Sequence, residues 1–121
     1  MNNILPIIII DYFSAIQTKT CIEMYQREIR NNALAFIIVD NSNNDDNFNR
    51  LTDGKILNKC YIDGFEVYTD INIAYVKSDI NLGFAKGNNL GFKVALKLYK
   101  FDYVLFSNND ISFKQFDIKI L

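Results

Sequence analysis

The sequence predicts an open α/β fold: a mostly parallel sheet with flanking helices, in a single domain. Three observations carry this. Four apolar runs, Ile4 to Ile10, Ala35 to Val39, Ile73 to Val76 and Tyr103 to Phe106, are continuous rather than alternating, as strands covered on both faces are. Apolar residues at helical spacing lie between these runs, and strand-helix-strand order gives parallel sheets with right-handed crossovers. The length of 121 residues, half of them hydrophobic, with one proline and five glycines, suits one compact core.

Taken in order, the first strand is followed by a helix. Ser14 is its N-cap, Gln17 completes a capping box, and Ile16, Ile22, Tyr25 and Ile29 are its apolar face. Asn31-Asn32 ends it. After the second strand the pattern weakens: Asn41 to Asn49 is rich in Asn and Asp, and Leu51 to Leu57 offers at most a short helix. Tyr61-Ile62 and Phe65 to Tyr68 flank Asp63-Gly64, the dipeptide favoured in two-residue hairpins. The clearest helix runs from about Phe84 to Tyr99, with Phe92, Ala95, Leu96 and Tyr99 on one face and Lys97 and Lys100 at its negative end. Beyond the fourth strand, Phe113, Phe116, Ile118, Ile120 and Leu121 are apolar with no further element to pack against.

Several function classes are excluded. Thirteen Lys and Arg against 14 Asp and Glu give a net charge of -1, so no overall positive field holds a nucleic acid. The longest apolar run stops at Asp11, far short of a bilayer span. Nor do basic residues precede that run as in a secretory signal, and the expectation is a cytoplasmic protein. Cys21 and Cys60 are far apart and His is absent, which removes zinc-finger spacing and Ser/His/Asp or Cys/His catalysis. Any metal must be held by oxygen.

In open α/β sheets ligands bind beyond the carboxyl ends of the strands. There this sequence is unusually polar: Asp11-Tyr12, Asp40-Asn41-Ser42, Lys77-Ser78-Asp79 and Ser107-Asn108-Asn109-Asp110 follow the four runs. Asp11, Asp40 and Asp110 are expected to converge on one rim. An Asp after a strand is commonly a local turn former or cap, the better reading of Asp11 alone. Asp40 is placed to accept hydrogen bonds from a ribose or base. Asp110, flanked by neutral amides, suits a hard cation such as Mg²⁺ or Mn²⁺ whose other ligands are water and substrate phosphates. The segment Asn81 to Gly91, NLGFAKGNNLG, gathers three of the five glycines at a helix start. It matches neither the dinucleotide nor the P-loop fingerprint, and Gly87 and Gly91 also suit close packing of helix on sheet.

These blocks together, the strand ending in DY, then FIIVDNSNND, then NLGFAKGNNLGFKVAL, then FDYVLFSNND, resemble family 2 glycosyltransferases, and more narrowly the rhamnosyltransferase-like members that build surface polysaccharides. The resemblance spans Ile7 to Asp110. It implies a GT-A fold that binds a UDP- or dTDP-sugar, with Asp110 matching the last acid of the metal-binding D-x-D motif and Asn108 and Asn109 replacing the others. The nucleotide contacts it implies are Ile10, Asp11, Tyr12, Asp40, Asn41, Lys86, Asn89 and Asn109. Asn88 stands where many relatives carry Arg. The reaction implied is inverting transfer to a polysaccharide or glycolipid acceptor, at the inner face of the membrane, with Mg²⁺ or Mn²⁺ neutralising the leaving phosphates. The general base of such a transfer is expected beyond Leu121, so the chain is expected to be a donor-binding half, inactive alone and prone to self-association through uncovered apolar surface.

Two other readings stand beside this one. A non-catalytic module would keep the nucleotide pocket without turnover. A receiver-like signalling domain would use Asp11, Asp40 and Lys77, but it leaves NLGFAKGNNLG and SNND without a role.

Overall fold

The structure, a computed structural model, describes residues 4–110; the apolar tail from Phe113 to Leu121 lies outside the described residues. Six strands and three helices follow in the order β1 (Ile4–Asp11), α1 (Ala15–Glu28), β2 (Ala33–Asp40), α2 (Asp45–Thr52), β3 (Asn58–Ile62), β4 (Phe65–Asp70), β5 (Ile73–Lys77), α3 (Gly83–Leu98) and β6 (Leu105–Ser107). They form one sheet in the order β3-β4-β5-β2-β1-β6. The β5-β2, β2-β1 and β1-β6 pairs are parallel, and the β3-β4 and β4-β5 pairs antiparallel. The α/β class and the largely parallel sheet predicted from the apolar runs are therefore what the chain adopts.

Continuous hydrophobicity of the central strands follows from burial on both faces. Ile7, Ile9, Phe36, Ile38 and Tyr75 pack under α1 and α2, with Ala15, Cys21, Tyr25, Phe48 and Leu51. Ile8, Ile37, Val39, Val67, Ala74 and Val76 pack under α3, with Leu90, Val94 and Ala95. Ile7, Ile8 and Ile9 are wholly buried, each worth about 1.5–3 kcal/mol relative to exposure. Pro6 is tolerated in β1 beside this core because β6 pairs only with Ile7 to Ile9, leaving Pro6 beyond that ladder.

Local signals explain the remaining elements, with some shifts. The Asp63-Gly64 hairpin forms, both turn residues having positive φ (52° and 82°), as the mirror-image turn of a tight hairpin requires. α2 starts inside the Asn/Asp-rich stretch and ends at Thr52, overlapping the expected Leu51 to Leu57 helix only at Leu51 and Thr52: Asn44 caps it, its side chain accepting from the Asn47 N–H at 2.9 Å, and Asp45 and Asp46 occupy the first turn. α1 begins after Ser14 as expected, but no capping box forms; Ser14 turns its hydroxyl and N–H to Asp11. It also ends at Glu28, before the asparagines.

The expected helix faces hold except at one residue each: Tyr25, Ile29 and Ala95 are buried and Ile22, Phe92 and Tyr99 pack against the core, but Ile16 and Leu96 turn to solvent. α1 buries Ala15, Thr18, Cys21 and Tyr25 and leaves Ile16 exposed. α3 buries Gly87, Leu90, Gly91, Val94 and Ala95 and leaves Leu96 exposed. For α3 the reason is its two buried glycines. A Cβ at Gly91 would stand 2.5 Å from Ile8 Cγ2, and one at Gly87 would stand 2.9 Å from Ile10 Cδ1, so the helix approaches the sheet along its glycine edge. Phe92 consequently sits to one side, against Phe101 and Phe106. The fourth predicted strand forms two residues later than expected, as β6.

Candidate functional site

The connectivity of the sheet reverses at β1. From β1 the chain passes through α1 to β2 on one side, and from β5 through α3, on the opposite face, to β6 on the other. Carboxyl ends at such a reversal leave a crevice between diverging connections. Asp11-Tyr12 and Asn108-Asn109-Asp110 follow the two strands that meet there.

Asp11 and Asp40 are register partners across β1 and β2, and both point to the α1/α2 face. One asparagine spans them: Asn47 Nδ2 donates to Asp11 Oδ2 at 2.7 Å and to Asp40 Oδ1 at 3.2 Å. Asp11 is wholly buried and also accepts from the Ser14 hydroxyl, the Ser14 N–H and the Thr18 hydroxyl. Its oxygens thus hold the β1-α1 corner together. Asp40 is 1% exposed and accepts from the Ser42 N–H at 2.9 Å. Burial pushes its carboxyl above the ordinary range; Ser42 and the Asn47 amide oppose the rise, and the nearby Asp11 adds to it. Asn47 was missed in the sequence because α2 could not be placed there.

On the other face, Ile10 and Asn41 meet the start of α3. Both lie at the glycine edge, beside Gly87, and Asn41 Nδ2 donates to the Gly83 carbonyl at 3.3 Å. Among the described residues, Asn41 Oδ1 and Asn88 Oδ1 are buried acceptors without a donor. The NLGFAKGNNLG segment thus lies where backbone can approach the ends of β1 and β2.

The rim residues open to solvent are aromatic and acidic. Tyr12 is 56% exposed and stacks edge-on against Phe13 at 4.9 Å between ring centroids, and Phe13 is held at a φ of 52°. Phe84 and Ile80 are exposed nearby in sequence to the α3 start. Asp110 is exposed at the end of the described chain, and Asn109 is half-buried, its amide donating to Ser14 Oγ at 2.7 Å and Thr18 Oγ1 at 3.0 Å. The structure therefore brings Asp11, Asp40 and Asn109 into one hydrogen-bonded cluster, with Tyr12 and Asp110 on its solvent side. Lys86 and Asn89 are not in that cluster; they line a separate hollow of about 550 Å³ with Asp63, Phe65, Leu82 and Lys93.

Among the described residues no three His, Cys, Asp or Glu are grouped as a cation site. Asp110 is a single exposed carboxylate. That donor set fits a hard cation that brings its other ligands as water and phosphate oxygens. A hollow of about 680 Å³ lies instead toward the amino ends of β2 and β5, between Leu34, Phe36, Ile73 and Tyr75 below and Arg30, Lys19, Asp53 and Asp70 at its edges. Burial, then Asp53 and Asp70, push the Tyr75 phenol up to about 12. It stays a neutral hydroxyl at physiological pH.

Comparison with protein-family models, curated proteins and solved structures finds no match to the chain. No helix among the described residues is long and apolar enough to cross a membrane.

Proposed function

We propose that the chain is the nucleotide-sugar-binding part of a family 2 glycosyltransferase with a GT-A fold, taking a UDP- or dTDP-sugar as donor. The observation that carries this reading is the reversal at β1, which puts Asp11-Tyr12 and Asn109-Asp110 side by side at the carboxyl rim. The four sequence blocks that resemble the family fall on β1, β2, the start of α3 and β6, all of which meet at this rim. Tyr12 offers a π-face to a nucleobase. Asn41 and the α3 start lie at the same rim on the sheet's other face, Asp40, like Asp11, is enclosed below it, and Asp110 is exposed, where this reading lays the diphosphate. Bound there, Mg²⁺ or Mn²⁺ would neutralise charge on the departing phosphates, with Asp110 as the protein's ligand. The acceptor in this reading is a carbohydrate or glycolipid, and transfer is inverting.

Asp11 supports the pocket by shape rather than by contact, since its carboxylate is enclosed by Ser14, Thr18 and Asn47. A receiver-like reading has no comparable support: Asp40, its phospho-acceptor, is 1% exposed, and Lys77 is paired with Asp45 at 2.6 Å.

The test is calorimetric titration of the chain with UDP and with dTDP, each with and without Mn²⁺, repeated on Asp110→Asn and Tyr12→Ala. Expected are metal-enhanced binding of one nucleotide, loss of the enhancement in Asp110→Asn, and weakening in Tyr12→Ala with or without metal. Absence of binding by either nucleotide in the folded chain refutes the proposal.

A further inference from the structure

The buried stripe of α1 reads out the segment that carries Asp110. Tyr25 OH donates to Ser107 Oγ at 2.6 Å, the Cys21 thiol donates to the Asn108 carbonyl at 3.6 Å, and Thr18 Oγ1 accepts from the Asn109 amide at 3.0 Å. Tyr25, Cys21 and Thr18 are spaced four and three residues apart, on one side of the helix, and their partners are three successive residues. Ser107 Oγ also donates to the Asn108 carbonyl at 2.8 Å. These bonds form a ladder between a helix and the chain leaving β6.

Its last rung is anchored on charge. The Thr18 and Ser14 hydroxyls each accept from the Asn109 amide and donate to Asp11 Oδ1. A hydroxyl that accepts and donates at once is fixed in rotation, and donation to a carboxylate strengthens the bond it accepts. Asp11 is in turn tied through Asn47 to Asp40. The backbone at Asn109 is thereby referenced to the ends of β1 and β2, and the next residue is Asp110.

We infer that Thr18 is a positioning residue for Asp110, fixing through Asn109 the chain from which Asp110 would share a cation with a nucleotide diphosphate. This rests on the reading of Asp110 proposed above. Partners bonded directly to a metal ligand change metal affinity by about 10- to 100-fold; Thr18 acts one residue further away, through Asn109, and the lower end of that range applies.

The experiment compares the chain with Thr18→Val, which keeps the shape and removes the hydroxyl, and Thr18→Ser, which keeps the hydroxyl. UDP and dTDP binding is titrated with and without Mn²⁺, and hydrogen exchange is followed at the amides of Asn108 to Asp110. Thr18→Val is expected to lose about ten-fold in the Mn²⁺-dependent part of the affinity, to leave metal-free binding unchanged and to exchange faster at those amides; Thr18→Ser restores both. If Thr18→Val does not fold, Thr18→Ala, which removes the same hydroxyl without adding a methyl in its place, gives the same two readouts. Wild-type metal enhancement in Thr18→Val, undiminished exchange protection there, or equal defects in Thr18→Ser each overturn the inference while leaving the nucleotide reading intact. A folded wild-type chain with no Mn²⁺-dependent binding of either nucleotide overturns the reading of Asp110, and the inference with it.

Discussion

Gly91→Ala measures how closely α3 lies on the sheet. The added Cβ would stand 2.5 Å from Ile8 Cγ2 and 3.3 Å from Val39 Cγ2, roughly 1 Å inside the 3.5–4.0 Å optimum for carbon pairs in the first case. Ile8 and Val39 are wholly buried on central strands, and both are β-branched and stiff at χ1. Relief therefore requires the helix to lift. Overpacking of this kind costs about 1–3 kcal/mol, and two stiff neighbours place the cost near the upper end; replacing a helical glycine by alanine returns about 0.8–1.0 kcal/mol. The expected net loss is about 1–2 kcal/mol. With a urea m-value of about 2 kcal/mol per M, the midpoint falls by about 0.5–1 M. Gly87→Ala is the control. Its Cβ would stand 2.9 Å from Ile10 Cδ1, the far end of a half-buried side chain, and 3.2 Å from Asn41 Nδ2. Rotation of Ile10 relieves the first contact, so stability should change by less than about 0.5 kcal/mol, while the Asn41–Gly83 bond at the rim is disturbed. A Gly91→Ala protein as stable as the parent, or a Gly87→Ala protein destabilised more than Gly91→Ala, would refute this account of the α3 interface.

Three further outcomes are expected. Because burial raises the Asp40 carboxyl, its ionised form is disfavoured in the folded chain; stability falls as pH rises from the ordinary value of 3.8 through the raised folded value, and Asp40→Asn should flatten that part of a pH series of urea unfolding curves. A decline of equal slope in the variant counts against the assignment. Asn44→Ala removes the α2 cap and should cost about 1 kcal/mol by the same measurement. Asp110→Asn, at an exposed position, should leave the thermal midpoint within the shift expected for about 0.5 kcal/mol, so its loss of Mn²⁺-enhanced nucleotide binding can be read as chemistry; a large drop in midpoint would instead show that Asp110 carries structure.

What the amino-acid sequence determined by itself is local and one-dimensional. Runs such as IIII and FIIV have no polar face to leave in water, which dictates strands buried on both sides, and Asp63-Gly64 can adopt two successive positive φ values, which dictates the hairpin. The start of α1 after Ser14 and the start of α3 near its glycines follow from the same kind of local chemistry, and so does the placing of polar residues at strand ends.

Which neighbour each element takes was decided by tertiary structure. Period alone put Ile16 and Leu96 on buried faces, but the contact surface of a helix is chosen by what allows closest approach. For α3 that is Gly87 and Gly91 over Ile10 and Ile8, and for α1 it is Thr18, Cys21 and Tyr25, whose polar tips find Ser107, Asn108 and Asn109 some 80 to 90 residues away. The fate of the strand-end acids is settled the same way. Asp11, Asp40 and Asp110 look equivalent in the sequence, yet Asn47 and Thr18 enclose the first and Asn47 and the Ser42 N–H the second, while the third stays in solvent. Whether a carboxylate is a ligand group or an internal brace depends on which donors reach it: Ser14, Thr18 and Ser42 are near neighbours in the chain, but the packing of α2 on α1 is what brings Asn47 to Asp11, 36 residues away.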